Sequence, residues 1–417
     1  MMDGGEKATP WLTVIGIGDD GLAGLSPSAR TLIATAEVIV GGDRHQRMVA
    51  ETNAERLTWR CGIGSVIAQI VGFRGRRVVV LTTGDPMWFG AGANLARRLP
   101  GEEMMVLPHP GAFSLAAARL GWPLADVETL TAHSRPLAML NRYIQPDARL
   151  LVLSRGGDTP AAAAALLTER GFGPSHVTVL EHLGGPGENR RDGIAETWPH
   201  PRAADLNILA IHCVAGPGAR IWSPVPGLPD DAFVHDGKMT KREVRAAAIA
   251  ALAPLPGQTL WDVGAGAGSI AIEWLRAAPC YRLATGGEAR AIAIEPHPDR
   301  CATIARNAIA LGVPQLQIVQ GSAPGALSSL DPRPSSIFLG GGVSQPGVLE
   351  GCWNVLPAGG RLVAHAVTLE GAACLTAFYT AHGGDLVRLS VARAGAVGRL
   401  TAFRAAMEVT QLTTIKP

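Results

Sequence analysis

Residues 261–269 read Trp-Asp-Val-Gly-Ala-Gly-Ala-Gly-Ser, so three alternating glycines follow a short apolar segment. That segment, residues 259–263, predicts a strand, and the residues after Ser269 predict a helix. Glycine adopts positive φ values readily, and it lets a ligand approach the backbone without a Cβ atom in the way. We therefore predict a Rossmann-like α/β domain with a ligand site at this loop.

The glycine spacing indicates which ligand the loop binds. A dinucleotide loop reads G-x-G-x-x-G and holds a pyrophosphate, whereas this loop reads D-x-G-x-G-x-G. The latter spacing suits an amino acid joined to a nucleoside, so we predict S-adenosylmethionine (SAM) and treat NAD as the competing ligand. Glu295 ends the next apolar strand, where its carboxylate would accept hydrogen bonds from ribose hydroxyls. The predicted SAM contacts of this domain are Gly264, Ala265, Gly266, Ala267, Gly268, Glu295 and, beside the adenine, Ser322 and Ala323.

Length and composition limit the remaining possibilities. The chain has 417 residues and a net charge of +2, which favours two domains and no nucleic-acid partner. No apolar run is long enough to cross a membrane, and the polar first residues predict no signal peptide. The six scattered cysteines lack metal-site spacing, so we predict no metal, no disulfides and a cytoplasmic location.

Strand and helix patterns alternate along both halves of the chain, which predicts βαβ units and parallel sheets. We predict one domain at 10–214, with subdomains at about 10–120 and 121–214. A linker rich in Pro and Gly follows at 215–232, and the second domain spans 233–417.

A basic segment precedes the glycine loop. Lys238, Lys241 and Arg242 are predicted substrate contacts, and Arg245 belongs to the same cluster. Thr240 and Glu243 have the spacing of a helix capping box. His235 and His365 are candidates for proton transfer, His365 because it lies at the end of a predicted strand.

Two further loops in the N-terminal half follow predicted strands. One reads Thr-Gly-Asp-Pro-Met-Trp-Phe-Gly at 83–90, and the other reads Pro-Gly-Ala-Phe-Ser at 110–114. Together with Gly-Ile-Gly at 16–18, they resemble the tetrapyrrole (cobalamin-type) methylases over residues 10 to 213. The resemblance implies a fold of two α/β subdomains with SAM in the cleft between them and a tetrapyrrole beside it. The residues it implies as SAM contacts are Thr83, Gly84, Asp85, Phe113, Ser114, Ser154 and Arg155.

The loop after the first strand departs from this family. Many members read G-x-G-P-G there, whereas this chain has Asp19 in the proline position, within Gly18-Asp19-Asp20-Gly21. The contacts of that loop are therefore left open by the resemblance, and a chain with only one active SAM site is an alternative.

The C-terminal half resembles the decarboxylating cobalt-precorrin methyltransferases, which are class I SAM methyltransferases. The match runs from residues 236–243 through the glycine loop to Gly340-Gly341-Gly342, and it implies that Thr240 lies beside SAM. The two domain types in this order imply methylation of a precorrin at carbons 5 and 15. They also imply decarboxylation of the ring C acetate, with the N-terminal domain acting on carbon 5. A homo-oligomer is expected from both resemblances, and a non-catalytic tetrapyrrole carrier is a further alternative.

Overall fold

The computed structural model describes residues 10–49, 52–59, 63–279 and 287–417. The chain divides into two compact units, one of residues 1–137 and 143–220 and the other of residues 138–142 and 221–417. Cys61 and Cys280 lie outside the described residues, and the four cysteines within them are free. No helix in the described ranges is both long enough and apolar enough to cross a bilayer.

The first sheet of the N-terminal unit is wholly parallel, with strand order β3-β2-β4-β1-β5. Its first strand is buried along its whole length, as expected when helices cover both faces of a parallel sheet. The Ser26 hydroxyl accepts the Ala29 amide proton and caps α1. The elements are β1 Leu12–Ile17, α1 Pro27–Ala34, β2 Val38–Val40, α2 Asp43–Met48, β3 Glu55–Leu57, α3 Ile63–Gly72, β4 Val78–Thr83, α4 Ala91–Ala96, β5 Met104–Leu107 and α5 Ala112–Leu120.

The second sheet of this unit has strand order β6-β7-β10-β8-β9. Only its β6–β7 pair is parallel, so the prediction of parallel sheets throughout was wrong here. Strand β10 lies between β7 and β8 and is antiparallel to both. Helix α5 packs on this sheet through Phe113 and Ala116. The elements are β6 Glu128–Thr131, β7 Arg149–Leu153, α6 Thr159–Glu169, β8 His176–Glu181, β9 Asn189–Ile194 and β10 Asn207–His212.

The C-terminal unit contains a seven-stranded sheet of order β13-β12-β11-β14-β15-β19-β16. Helices α7, α8 and α9 cover one face and α10 and α11 cover the other, which gives two apolar cores. The elements are α7 Arg242–Leu252, β11 Thr259–Val263, α8 Ser269–Ala277, β12 Arg290–Glu295, α9 Pro298–Ala310, β13 Gln317–Gln320, β14 Ser336–Leu339, α10 Val348–Val355, β15 Arg361–Ala366, α11 Leu369–His382, β16 Asp385–Leu389, β17 Ala392–Val397, β18 Leu400–Ala405 and β19 Val409–Ile415.

Five neighbouring strands are parallel, in the order β13-β12-β11-β14-β15. Strand β19 pairs antiparallel with β15, and β16 pairs antiparallel with β19. Strands β17 and β18 form a separate antiparallel hairpin. The five parallel strands all have their carboxyl ends on the same side of the domain, and open α/β sheets bind ligands next to these strand ends. The glycine loop follows the carboxyl end of β11.

Candidate functional site

The glycine loop joins β11 to α8, as predicted. Gly264, Gly266 and Gly268 have φ values of +73°, +59° and +76°, a region that side chains with a Cβ atom rarely adopt. A Cβ atom on Gly266 would lie 2.9 Å from the carbonyl oxygen of Lys238, and one on Gly264 would lie 3.3 Å from the Gly341 nitrogen. The loop is therefore held between two neighbouring backbone segments, and only glycine fits there without displacing them.

Glu295 lies beside this loop. Its carboxylate accepts the Gly266 amide proton at 2.8 Å and the His297 amide proton at 3.3 Å, and Arg300 lies 3.6 Å away. The Glu295 side chain is almost fully buried. The Gly321 amide donates to the Glu295 carbonyl oxygen, which brings the loop of Ser322 and Ala323 to the same strand end. The predicted acid and the two predicted loops thus lie at the same strand end.

Asp262 is a candidate site residue that was not predicted from the sequence, although it is the first residue of the D-x-G-x-G-x-G motif. One carboxylate oxygen accepts the Ala271 amide proton at 3.0 Å. The other oxygen is buried and has no hydrogen-bond partner among the described residues. Burial raises the pKa of Asp262 to about 7. The unpartnered oxygen of Asp262 lies next to the glycine loop, where it could accept a hydrogen bond from an ammonium group. The Glu295 carboxylate at the end of β12 could accept hydrogen bonds from ribose hydroxyls. SAM carries both kinds of donor.

The basic segment divides into an exposed part and a buried part. Lys238, Lys241 and Arg242 are exposed, and the Lys238 backbone adjoins the glycine loop. Arg245 is fully buried, so its assignment to a basic binding surface was wrong. Its guanidinium donates to Glu273 at 2.6 Å and to the Thr240 carbonyl at 2.6 Å, and it lies 3.2 Å from Asp230. Arg245 therefore fixes the segment that leads to the loop.

The predicted capping box at Thr240 is not formed. Helix α7 begins at Arg242 with Lys241 as its N-cap, and no side chain makes a capping hydrogen bond there. The Glu243 carboxylate pairs with Arg393 at 2.5 Å instead of turning back to the helix end. Thr240 is partly buried just before the helix, and its carbonyl is the group held by Arg245.

The two histidine candidates have different surroundings. His235 is partly exposed, and its Nδ1 atom accepts the Gly237 amide proton at 3.0 Å in the segment beside the glycine loop. His365 is buried on β15, where it bonds to Gln411 at 2.8 Å and meets the edge of Phe338. Burial lowers the pKa of His365 to about 4, so the imidazole is neutral at pH 7. Its environment favours a structural role over proton donation.

In the N-terminal unit, the carboxyl ends of β1, β4 and β5 approach one another through glycines. Gly84 has a φ of +62°, and a Cβ atom on it would lie 2.7 Å from the Gly111 Cα atom. A Cβ atom on Gly16 would lie 2.7 Å from the His109 nitrogen. The Thr83–Asp85 loop and the Pro110–Ser114 loop are consequently in contact.

Other predicted residues of this unit are arranged around these loops. The Asp85 carboxylate accepts the Met87 amide proton at 2.8 Å and so shapes its own turn. The Phe113 ring is buried and lies 5.9 Å from that of Phe89, whereas Ser114 is exposed. Ser154 directly follows β7, and its buried hydroxyl has no partner among the described residues, whereas the Arg155 side chain is exposed.

Asp19, the residue that departs from the family pattern, joins the two sheets of this unit. Its carboxylate lies 2.5 Å from Arg44 and 3.0 Å from the Nδ1 atom of His182, which follows β8. Arg44 also donates to the Thr83 hydroxyl at 2.8 Å, and His45 lies 3.0 Å from the same oxygen. No role was predicted for Arg44, His45 or His182 from the sequence, because their partners lie far away along the chain.

Comparison with known families gives two matches that divide the chain. Residues 12–197 match the model of tetrapyrrole (corrin/porphyrin) methylases. Residues 231–416 match the model of a precorrin methyltransferase domain. Both matches agree with the resemblances drawn from the loops.

Curated relatives match at full length and in part. A precorrin-6Y C(5,15)-methyltransferase (decarboxylating) from a Sinorhizobium species is 46% identical over 404 residues, which are 97% of this chain and 96% of the relative. A probable cobalt-precorrin-6B C(15)-methyltransferase (decarboxylating) from Saccharolobus solfataricus is 33% identical over 35% of this chain and 72% of its own length. A cobalt-precorrin-7 C(5)-methyltransferase from Salmonella typhimurium is 28% identical over 41% of this chain and 85% of its own length.

These matches make the chain an enzyme rather than a tetrapyrrole carrier. The NAD alternative finds no support among them. With a relative of 46% identity covered almost completely, the chain belongs to the precorrin-6Y C(5,15)-methyltransferase (decarboxylating) family of SAM-dependent enzymes.

Proposed function

We propose that the chain methylates precorrin-6Y (precorrin-6B) at carbons 5 and 15 and decarboxylates the ring C acetate, giving precorrin-8 in cobalamin biosynthesis. Each domain holds its own SAM. The N-terminal domain methylates carbon 5, and the C-terminal domain decarboxylates and methylates carbon 15. In support, two shorter relatives carry one of these activities each in their names.

The observation that carries the C-terminal assignment is the bond between the Glu295 carboxylate and the Gly266 amide. It fixes the strand-end acid beside a loop whose glycines leave the backbone open to a ligand. The residues proposed to bind SAM in the C-terminal domain are Gly264–Gly268, Glu295, Asp262 and the loop of Ser322 and Ala323.

SAM supplies an electrophilic methyl group on a sulfonium centre. The protein has to align the acceptor carbon with that methyl group and exclude water, and alignment alone supplies much of the acceleration in such displacements. The exposed cations Lys238, Lys241 and Arg242 would hold substrate carboxylates next to the loop. The conjugated macrocycle can accept the electrons released by decarboxylation, so no side-chain acid is required.

The N-terminal site is supported by the contact between its two loops and by the network around Asp19. Asp19 replaces the family proline, yet it is bonded to both sheets of the unit through Arg44 and His182. The loop is therefore ordered by a different device, which favours an intact second site over a degenerate one.

Calorimetry with S-adenosylhomocysteine tests the two-site proposal on the full-length chain. We expect two binding sites for the wild type and one for each of Gly266→Ala and Gly84→Ala, since each substitution forces a Cβ atom against backbone in one site only. A single site in the wild type that is lost in Gly266→Ala would leave the alternative of one active domain.

We also propose that the enzyme is a cytoplasmic homo-oligomer. The hairpin of β17 and β18 exposes large apolar side chains, with Leu400 77% and Phe403 79% accessible and Met407 74% accessible beside it. Patches of this kind on a folded chain mark interaction surfaces, and a second copy would cover them. Light scattering of Phe403→Ser is expected to show a smaller assembly than the wild type, and equal masses would refute the proposed interface.

A further inference from the structure

Thr83 is the last residue of β4 and precedes the Gly84-Asp85 loop of the N-terminal site. Two side chains of helix α2 form hydrogen bonds with its hydroxyl oxygen. Arg44 Nη2 donates to it at 2.8 Å, and His45 Nε2 lies 3.0 Å away. The hydrogen-bond donors in this cluster determine whether the Thr83 hydroxyl can still accept or donate a hydrogen bond to a ligand.

The protonation of His45 follows from its other nitrogen. Nδ1 accepts the Gly42 amide proton at 3.2 Å, so Nδ1 carries no proton. A neutral imidazole then has its one proton on Nε2, and this nitrogen must donate to Thr83. Burial and the neighbouring Arg44 cation lower the pKa of His45 to about 4, which supports the neutral ring at pH 7.

The Thr83 oxygen thus accepts two hydrogen bonds, which is the full capacity of a hydroxyl oxygen. Its own proton can only be donated to a further acceptor. The two bonds from α2 are its hydrogen bonds within the described residues, and the residue is exposed at the strand end. One of the two donors is a cation, which polarises the hydroxyl and strengthens it as a donor.

Asp19 holds the Arg44 guanidinium in this arrangement. Its Oδ1 atom binds Arg44 Nη1 at 2.5 Å, and that contact orients the guanidinium so that Nη2 reaches Thr83. Its Oδ2 atom binds His182, so the second sheet of the unit fixes the carboxylate.

We propose that Asp19, Arg44 and His45 are positioning residues that commit the Thr83 hydroxyl to donate a hydrogen bond to a ligand carboxylate in the N-terminal cleft. The proposal rests on the proposed function of this domain, which brings two carboxylate-bearing molecules there. One is the methionine part of SAM, and the other is the precorrin with its acidic side chains. A carboxylate is the acceptor that gains most from a polarised donor next to a cation.

The test compares Thr83→Val, which keeps the shape and removes the donor, with Thr83→Ser, which keeps the donor, in the full-length chain. Three dissociation constants are measured: S-adenosylhomocysteine, 5′-methylthioadenosine, which lacks the carboxylate, and the precorrin. The C-terminal site is the internal reference in every titration. We expect Thr83→Val to weaken one carboxylate ligand about 10- to 100-fold and Thr83→Ser to restore it.

The two sources of the carboxylate give different results. If it belongs to SAM, S-adenosylhomocysteine is weakened while 5′-methylthioadenosine is unchanged. If it belongs to the precorrin, only the precorrin is weakened. Unchanged constants in Thr83→Val, equal losses for both nucleosides, or failure of Thr83→Ser to recover would overturn the proposal. These binding assays need no turnover, so a wild type that transfers no methyl group to carbon 5 would count against the proposed function alone.

The positioning role has its own readout. Asp19→Asn and Arg44→Gln are expected to weaken the same ligand in the wild-type background and to add nothing in the Thr83→Val background, because they act through Thr83. Arg47→Gln is the matched control, since Arg47 is an exposed cation on the same helix. Additive losses in the double variants, or an equal loss in Arg47→Gln, would contradict the positioning role.

Discussion

Replacing Arg245 by methionine tests how the segment before the glycine loop is held. Arg245 is fully buried, and its partner Glu273 is 1% exposed. The guanidinium donates to Glu273, to the carbonyls of Leu228 and Thr240, and to Asp230 at 3.2 Å. Methionine has a similar length and no donor, so Arg245→Met leaves a buried carboxylate and two carbonyls without their cation.

Removing one partner of a buried ion pair destabilises a protein by about 3–5 kcal/mol. For a unit of this size, 1 kcal/mol shifts the midpoint of thermal unfolding by roughly 2–4 °C. We therefore expect the transition of the C-terminal unit to fall by about 6–20 °C. Arg242→Met is the matched control, because Arg242 is exposed on the same helix and should change stability by no more than about 0.5 kcal/mol.

Scanning calorimetry of the full-length chain is the appropriate assay, because two units need not unfold in one transition. The double variant Arg245→Met with Glu273→Leu should recover part of the loss, since it removes the uncompensated charge. The reasoning is refuted if Arg245→Met lowers the midpoint no further than Arg242→Met does.

Three further predictions concern the C-terminal unit. Glu295→Ala should weaken S-adenosylhomocysteine at this site by about 1.5–3 kcal/mol, the value of hydrogen bonds to a charged group, with calorimetry as the measurement. Gly266→Ala should be more destabilising than Gly237→Ala in urea unfolding; both positions have positive φ, but only the first meets a backbone oxygen, of Lys238, at 2.9 Å. His365 has a pKa of about 4 when folded, against 6.5 when unfolded, so the unfolded state binds the extra proton between these values. The contribution of the neutral His365 to the free energy of unfolding is therefore complete above pH 6.5 and is lost as the pH falls toward 4. His365→Gln should flatten the dependence of the unfolding free energy on pH in this range. An unchanged slope would contradict a buried neutral ring.

The sequence predicted those parts of the site that are local in the chain. The strand, the glycine loop and the helix after it follow from one continuous segment, and the predicted strand bounds Thr259–Val263 agree with the structure. The position of Glu295 beside the glycine loop was predicted because an acid at the carboxyl end of the neighbouring parallel strand lies next to that loop. Such inferences need only strand order and the direction of a parallel sheet.

Features that depend on distant partners were missed. Arg245 was assigned to a basic surface because Glu273, its buried partner, lies 28 residues away along the chain. The role of Asp19 required His182, which is 163 residues away. The antiparallel pairing within the second sheet was missed because β9 is polar and largely exposed and so lacks the apolar alternation of a strand.

The central claim, one methyl transfer in each domain, is tested most directly by mass spectrometry of the products. The full-length chain is supplied with precorrin-6B and labelled SAM, and the same is done with Gly84→Ala and Gly266→Ala. We predict that Gly84→Ala yields a product that is decarboxylated and carries one new methyl group at carbon 15. Gly266→Ala should yield a product that retains its ring C acetate and carries any new methyl group at carbon 5. Loss of both methyl groups in both variants, or of the same one in each, would contradict the division of labour between the domains.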